Sequence, residues 1–265
     1  MLLEKFYTNP KIAKYCMKLF KKYVDIDDND MIIEPSAGSG VFIPYIKRIS
    51  KNYAFYDIKP EHPEIIKHNF LTLKNDFQYP IHVVGNPPFG RKMSSVIKFI
   101  KKCDKLTAKS ISFILPRSFK KPSIKKSVPL NYHLKYQVEL PENSFNKRGI
   151  DFNIPCVFQI WIRKDRIRKK HTILYPNKYY RFTKDYNQCD IVFRRVGYNT
   201  GAVNRCSNVY NPNSHYFIKL LHKDLHINDI ISKLQKIKIN KKSNIGSISV
   251  SKQYLIKKFN NIIKK

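Results

Sequence analysis

Four consecutive residues, Asn86-Pro87-Pro88-Phe89, join side chains suited to handling a flat amine. The two prolines fix their own φ angles and supply no backbone donor, and each pushes the residue before it out of helical geometry. The turn is therefore stiff, and it presents Asn86 with a side-chain carbonyl and amide. An aromatic amine is a poor nucleophile, because its lone pair is delocalised into the ring. The Asn86 side chain and the Pro87 carbonyl can accept hydrogen bonds from the two amino hydrogens, which favours the rehybridised nitrogen that attacks a sulfonium methyl. Such help is positional and electrostatic and needs no strong base. Phe89 can stack on the ring that carries the amine, as when a base is taken out of its helix for chemistry. The plain alternative is a proline turn with Asn86 as cap and Phe89 as core.

A second candidate lies upstream. Glu34-Pro35-Ser36-Ala37-Gly38-Ser39-Gly40 follows a short apolar run and precedes a helical one. Small residues there let backbone approach a ligand, at the place where doubly wound sheets bind nucleotide-like cofactors. The spacing is neither the dinucleotide fingerprint nor a P-loop. It suits a ligand without a phosphate cradle, such as S-adenosylmethionine. Asp57 ends the next apolar run and can accept hydrogen bonds from ribose hydroxyls, although a helix cap is the ordinary use of such an aspartate.

The elements that must hold these residues follow from periodicity. Pro10 opens a helical stripe of Ile12, Ala13, Cys16, Leu19 and Phe20. Strands are expected at 31–33, 53–56, 81–84 and 110–115, and helices at 41–49 and 94–103. A weak helix is expected at 60–67. Such alternation predicts an α/β fold with a doubly wound, mostly parallel, Rossmann-like sheet. Strands at 132–140 and 156–162 are read as a late antiparallel addition, with a polar loop at 143–152 between them. A dense basic run, 163–170, marks the boundary between a catalytic domain, 1–165, and a small basic C-terminal extension, 166–265. In the extension, β-prone pieces at 190–196 and 214–220 precede helices at 228–237 and 254–263.

Charge narrows the partners. The 265 residues carry 51 Lys and Arg against 19 Asp and Glu, a formal net charge of +32. A polyanion is the simplest reason for such a surplus, although drift toward lysine in an AT-rich genome is the bland one. Arg91 and Lys92, then Arg117, Lys120, Lys121, Lys125 and Lys126, then 163–170, are read as three clusters ringing the catalytic edge. Ser118, Phe119 and Ser123 lie among them as candidate contacts to the target nucleotide. Arg194, Arg195 and Tyr198 form a candidate recognition loop. The five cysteines show no metal-ligand or redox spacing, so no metal site is expected, and their odd count points to a reducing compartment. No stretch reads as a signal peptide or a membrane span. The expectation is a cytoplasmic protein (host cytoplasm if viral) that is not secreted and does not engage a membrane.

Taken together, Asn86–Phe89 and Glu34–Gly40 resemble the adenine-N6 class of S-adenosylmethionine-dependent methyltransferases, in the arrangement where the cofactor motif comes first. The resemblance covers roughly residues 6–162. It implies that Asn86, Pro87, Pro88 and Phe89 are catalytic and that Glu34, Pro35, Ala37, Gly38 and Gly40 line the cofactor. Asp57 corresponds to the ribose-binding acid. Phe6-Tyr7-Thr8-Asn9-Pro10 is similar to the segment that closes over the methionine end, with Thr8 near its carboxylate. Where the family often has Asp-Phe-Leu, this chain has Asn69-Phe70-Leu71. Asn69 would then meet the cofactor's adenine amino group, and Phe70 would pack on that ring or sit in the core. The implied partner is nucleic acid, DNA favoured over RNA. An RNA enzyme, a protein-glutamine enzyme, and an inactive relative acting with a partner subunit stay open.

Overall fold

Residues 7–147, 150–170, 172–239 and 248–263 are described by the computed structural model, apart from the side chains of Lys92 and Lys147. The chain divides into two compact units, Met1–His171 and Thr172–Lys265. The expectation set the division at 165/166. Arg168 explains why the first unit reaches further. Its backbone N–H donates to Leu130 O, and its guanidinium donates to the carbonyls of Tyr132, Val128 and Pro129.

Seven strands form the sheet of the first unit: β2 (Met31–Glu34), β3 (Asn52–Asp57), β4 (Ile66–Lys67), β5 (Ile81–Gly85), β6 (Ser110–Pro116), β7 (Tyr132–Glu139) and β10 (Cys156–Arg163). Their order is β4-β3-β2-β5-β6-β10-β7. All pairs from β4 to β6 are parallel, and β10 is antiparallel to both its neighbours. The sheet is thus doubly wound and mostly parallel, as expected. The late pair differs from expectation in one respect: only β10 runs against the rest, because it inserts between β6 and β7. That inner position explains the apolar run around Trp161, since Cys156 to Trp161 are buried, as a strand covered on both faces requires.

Helix α1 (Pro10–Tyr23) lays Ile12, Ala13, Cys16, Met17, Leu19 and Phe20 into the core. Asn9 caps it, accepting from Lys11 N–H at 3.1 Å, and Pro10 occupies its first turn. Burying each large apolar side chain contributes about 1.5–3 kcal/mol. Helix α3 (Ser94–Lys105) returns the chain from β5 to β6 with Val96, Phe99, Ile100 and Cys103 buried.

Three local expectations change. Residues 60–67 hold no helix, only turns and the two residues of β4; Pro60 and Pro63 remove the donors a helix would need. The helix expected at 41–49 shrinks to α2 (Ile43–Ile46). The loop at 143–152 contains a hairpin, β8 (Phe145–Lys147) and β9 (Ile150–Phe152), and β8 pairs with β1 (Tyr7–Thr8).

The second unit has an antiparallel sheet in the order β11-β14-β12-β13, from β11 (Tyr180–Thr183), β12 (Ile191–Arg194), β13 (Val203–Arg205) and β14 (His215–Leu220). Helices α5 (Ile227–Gln235) and α6 (Lys252–Ile262) share its core, where Tyr180, Phe193, Ile218, Leu234 and Phe259 are buried. Cys189 and Cys206 are joined as a disulfide across the base of the β12–β13 hairpin, with Cα atoms 5.8 Å apart. Spacing along the chain gave no sign of this pair, because pairing of the two strands is what brings the cysteines together. No helix among the described residues is long and apolar enough to cross a membrane.

Candidate active site

The winding reverses between β2 and β5, and the carboxyl ends of those two strands open onto the crevice where such sheets bind ligands. Glu34–Gly40 leaves β2 there, and Asn86–Phe89 leaves β5. The two turns are joined directly: Ser36 Oγ donates to Asn86 O at 3.1 Å. Gly85, with φ of 150°, sits against Glu34, and a Cβ there would meet Glu34 Cγ at 3.2 Å. The glycine is what allows the two strand ends to approach so closely.

The cofactor turn is pinned on its other side by β3. Ala37 N–H donates to Tyr56 O at 2.9 Å, and Gly38 N–H donates to Asp57 Oδ2 at 2.8 Å. Asp57 Oδ1 accepts from Lys59 N–H at 2.8 Å. Each Asp57 oxygen therefore spends one lone pair on backbone and keeps another for a ligand hydroxyl. Gly38, at φ +52°, lies beneath Tyr7, so a Cβ there would come within 3.3 Å of the ring. The Tyr7 hydroxyl is 2.7 Å from both oxygens of Glu61. Tyr7 thus reaches across the turn, while β1 holds it and buries Thr8 against β8. Glu61 and Ser36 were not among the expected site residues, and nothing in their spacing marks them.

Glu34 is 2% exposed, and its Oε2 has no hydrogen-bond partner among the described residues. Burial, and after it the negative charge of Asp57, pushes its carboxyl well above the usual range. An unsatisfied buried oxygen costs free energy that a ligand donor would recover. Together with the spare lone pairs of Asp57, this set of acceptors fits a cationic amino acid joined to a ribose. S-adenosylmethionine has that composition.

Other expected residues divide. Pro35, Ala37, Gly40 and Pro87 are buried in the two turns, Asn86, Pro88 and Phe89 are half-buried, and Phe89 packs on the core that includes α1. Asn69 is exposed, and its Oδ1 accepts from Leu71 N–H at 3.0 Å, capping a short 3-10 turn, Phe70–Thr72. Phe70 is fully buried and stacks on Phe99 at 5.4 Å. Of its two expected places, the ring occupies the core. Phe6 lies outside the described residues.

The basic clusters also separate. Arg117 and Lys120 follow β6 at the catalytic edge and pair with Glu139. Phe119 is wholly buried, so it touches no substrate. Run 163–170 divides: β10 is antiparallel, so Arg163 emerges beside Lys109 at the opposite edge, while Arg168 comes within electrostatic reach of Lys125. Arg163 pairs there with Asp104, and Arg168 lies over Trp161 at 5.2 Å.

Comparison with known proteins adds a sequence relationship. Two Haemophilus influenzae proteins, the type II methyltransferases M.HincII and M.HindII, are each 34% identical over 93 residues, 34% of this chain. Over those 93 residues the chain is similar in sequence to these two methyltransferases. The match spans only 18% and 17% of the two relatives' own lengths. No protein-family model matches the chain. Among solved structures, a type I restriction-modification system methyltransferase subunit from Streptococcus thermophilus superposes with a TM-score of 0.40 at 16% identity, covering 61% of this chain and 45% of its own. The fold assignment rests on the strand order itself.

Proposed function

We propose that this protein transfers a methyl group from S-adenosylmethionine to the exocyclic N6 of adenine in DNA. The observation that carries the reading is the placement of Asn86-Pro87-Pro88-Phe89 at the carboxyl end of β5, tied by Ser36 to the glycine turn at the winding reversal. When bound, the cofactor supplies a sulfonium methyl, whose C–S bond breaks as the N–C bond forms and whose sulfur leaves as a neutral thioether. The protein's part is positional. Asn86 Oδ1 and the Pro87 carbonyl take the amino hydrogens, and Phe89 flanks the extruded base. The spare proton passes to solvent from the methylated amine.

Charge supports a nucleic-acid substrate. Lys125 is held below its ordinary value, first by burial and then by the charges of Lys120 and Arg168. An anion would relieve that crowding, as phosphates do along a basic groove. The likeness to type II methyltransferases favours DNA over RNA. Labelled S-adenosylmethionine, offered with duplex DNA, single-stranded DNA, structured RNA and capped RNA, tests both halves of the reading. N6-methyladenine in DNA, absent with Asn86→Ala, is the expected result. Product in RNA alone overturns the substrate, and methylated glutamine in protein overturns the reaction class.

A further inference from the structure

We infer that the turn between β12 and β13 is a base-stacking contact on DNA, with Tyr198 as the stacking side chain. The inference rests on the proposed DNA substrate and assigns a specific contact to it. Tyr198 is 96% exposed, while the apolar face of its own sheet is covered by α5 and α6. A tyrosine ring buried at an interface is a large favourable contribution, and at Tyr198 almost all of that surface is open to a partner.

The exposure is built into the turn. Gly197 and Gly201 adopt φ of 100° and 101°, which reverse the chain on either side of the ring. Thr200 Oγ1 donates to Gly197 O at 2.6 Å and lies 2.9 Å from Ile248 O. Gly197 N–H donates to Ile248 O at 3.1 Å, Gly201 N–H to Arg194 O at 2.8 Å, and Ala202 N–H to Asn199 O at 3.0 Å. These bonds fix the backbone of the tip, so the ring is presented on a firm base.

What surrounds the ring selects the partner. From Ile191 to Lys223 there is no acidic residue, and Arg194 and Arg195 lead from β12 into the turn, while Lys219 is paired with Asp190 at 2.9 Å. Arg195 is fixed by two donations to Asn213 O, at 2.9 and 3.2 Å, with its guanidinium 5.4 Å from the Tyr216 ring. The Nε of Arg194 has no hydrogen-bond partner among the described residues, and its guanidinium lies beside Gly197. An exposed aromatic face with the Arg194 guanidinium beside its turn matches a base joined to a phosphate, the pattern of stacking platforms in nucleic-acid grooves. An apolar protein partner would leave Arg194 Nε unanswered.

The test uses the full chain with labelled duplex and single-stranded DNA, followed by fluorescence anisotropy, with 2-aminopurine in the strand to report stacking. Tyr198→Ala weakens binding roughly tenfold and loses the 2-aminopurine quenching, with an unchanged dependence on salt. Tyr198→Trp restores both. DNA binding that is equal in wild type and Tyr198→Ala overturns this inference and leaves the methyltransferase reading in place. Absence of DNA binding by the wild type overturns the substrate reading first and this contact with it. Tyr198-dependent binding to phosphatidylserine vesicles in place of DNA also overturns it.

Discussion

Asp30 and Glu34 stand at the two ends of the same strand, and the fold treats their carboxylates in opposite ways. Both are almost fully buried. Asp30 Oδ2 accepts from Asp27 N–H at 3.0 Å and from Lys109 at 2.8 Å, and it lies 3.0 Å from His82 Nε2. Burial pushes the Asp30 carboxyl up, but those three partners outweigh it and hold it below its ordinary value. Glu34 has a buried oxygen with no partner among the described residues, and its carboxyl is pushed well up. Asp30 faces the amino edge of the sheet and Glu34 the crevice at the carboxyl edge. A satisfied carboxylate serves the fold, and an unsatisfied one at a winding reversal marks a place for a ligand.

The amino edge contains an arrangement that would attract attention as catalytic. Ser110 Oγ lies 2.7 Å from His82 Nδ1, and His82 Nε2 lies 3.0 Å from Asp30, the order of nucleophile, base and orienting acid. Ser110 is wholly buried, however, and it begins β6 on the side away from the crevice. With a neutral imidazole every group is satisfied: Nδ1 accepts from the serine and Nε2 donates to the aspartate. The cluster closes the bottom of the sheet.

The largest effect should come from breaking that saturated end. Asp30→Ala strips His82 and Lys109 of their shared acceptor and should destabilise the first unit by about 3–5 kcal/mol. In a domain of this size that lowers the melting temperature by roughly 10 °C. Cofactor affinity of the folded protein should stay the same. Acid should reveal the same cluster. Burial holds His82 below its ordinary value of 6.5, against the hydrogen bond that it donates to Asp30. The unfolded chain therefore binds more protons just below that pH, and stability falls on acidification from about 6.5. Asp30, depressed below 3.8, adds a second loss as the pH drops through its folded value. Glu34, with its carboxyl pushed up, titrates with the opposite sign, so calorimetry between pH 5 and 8 in a Glu34→Gln background should show stability declining below about 6.5. A flat profile, or one unchanged by Asp30→Ala, contradicts the assignment.

At the crevice the same kind of change should spare the fold and remove function. Asn86→Ala is expected to lower methyl transfer about 10²–10³-fold, the scale for losing one positioned hydrogen-bonding group, with a melting temperature near that of the wild type. Glu34→Gln should do less. Burial and the charge of Asp57 push the Glu34 carboxyl toward its neutral form, so the amide keeps its shape and costs the apo protein little. It removes the option of meeting a cation as a carboxylate, and affinity for S-adenosylmethionine by titration calorimetry should fall roughly tenfold. A large loss of stability with unchanged affinity would erase the difference between the two ends of β2.

Much of this was legible in the sequence because strand ends carry strong local signals. Apolar runs closed by Gly or Pro predicted β2, β5 and β6, one ending at Asp57 predicted β3, and those runs place Glu34, Asp57 and Asn86 at one edge as soon as the sheet is parallel. Direction was the weak point. Nothing in the composition of 156–162 says that β10 inserts between β6 and β7, and its direction there sends Arg163 to the far edge. Contacts made across the fold were equally silent. Ser36 with Asn86, Tyr7 with Glu61, β8 with β1, and Cys189 with Cys206 depend on tertiary approach and have no spacing of their own.

The smallest effect concerns the position where this chain departs from its resemblance. Restoring the acid with Asn69→Asp should leave the short turn intact, because an aspartate accepts from Leu71 N–H as the asparagine does at 3.0 Å. The side chain stands exposed, with its oxygen already committed to that cap. A carboxylate there has a second oxygen to offer, screened by solvent, and such a gain is small. Affinity for S-adenosylmethionine should therefore change less than about threefold. A rise of tenfold or more would show that the turn re-forms around the cofactor, releasing residue 69 from its cap. The carboxyl edge would then differ from the amino edge in a second way, as a site that rearranges on binding beside one that stays fixed.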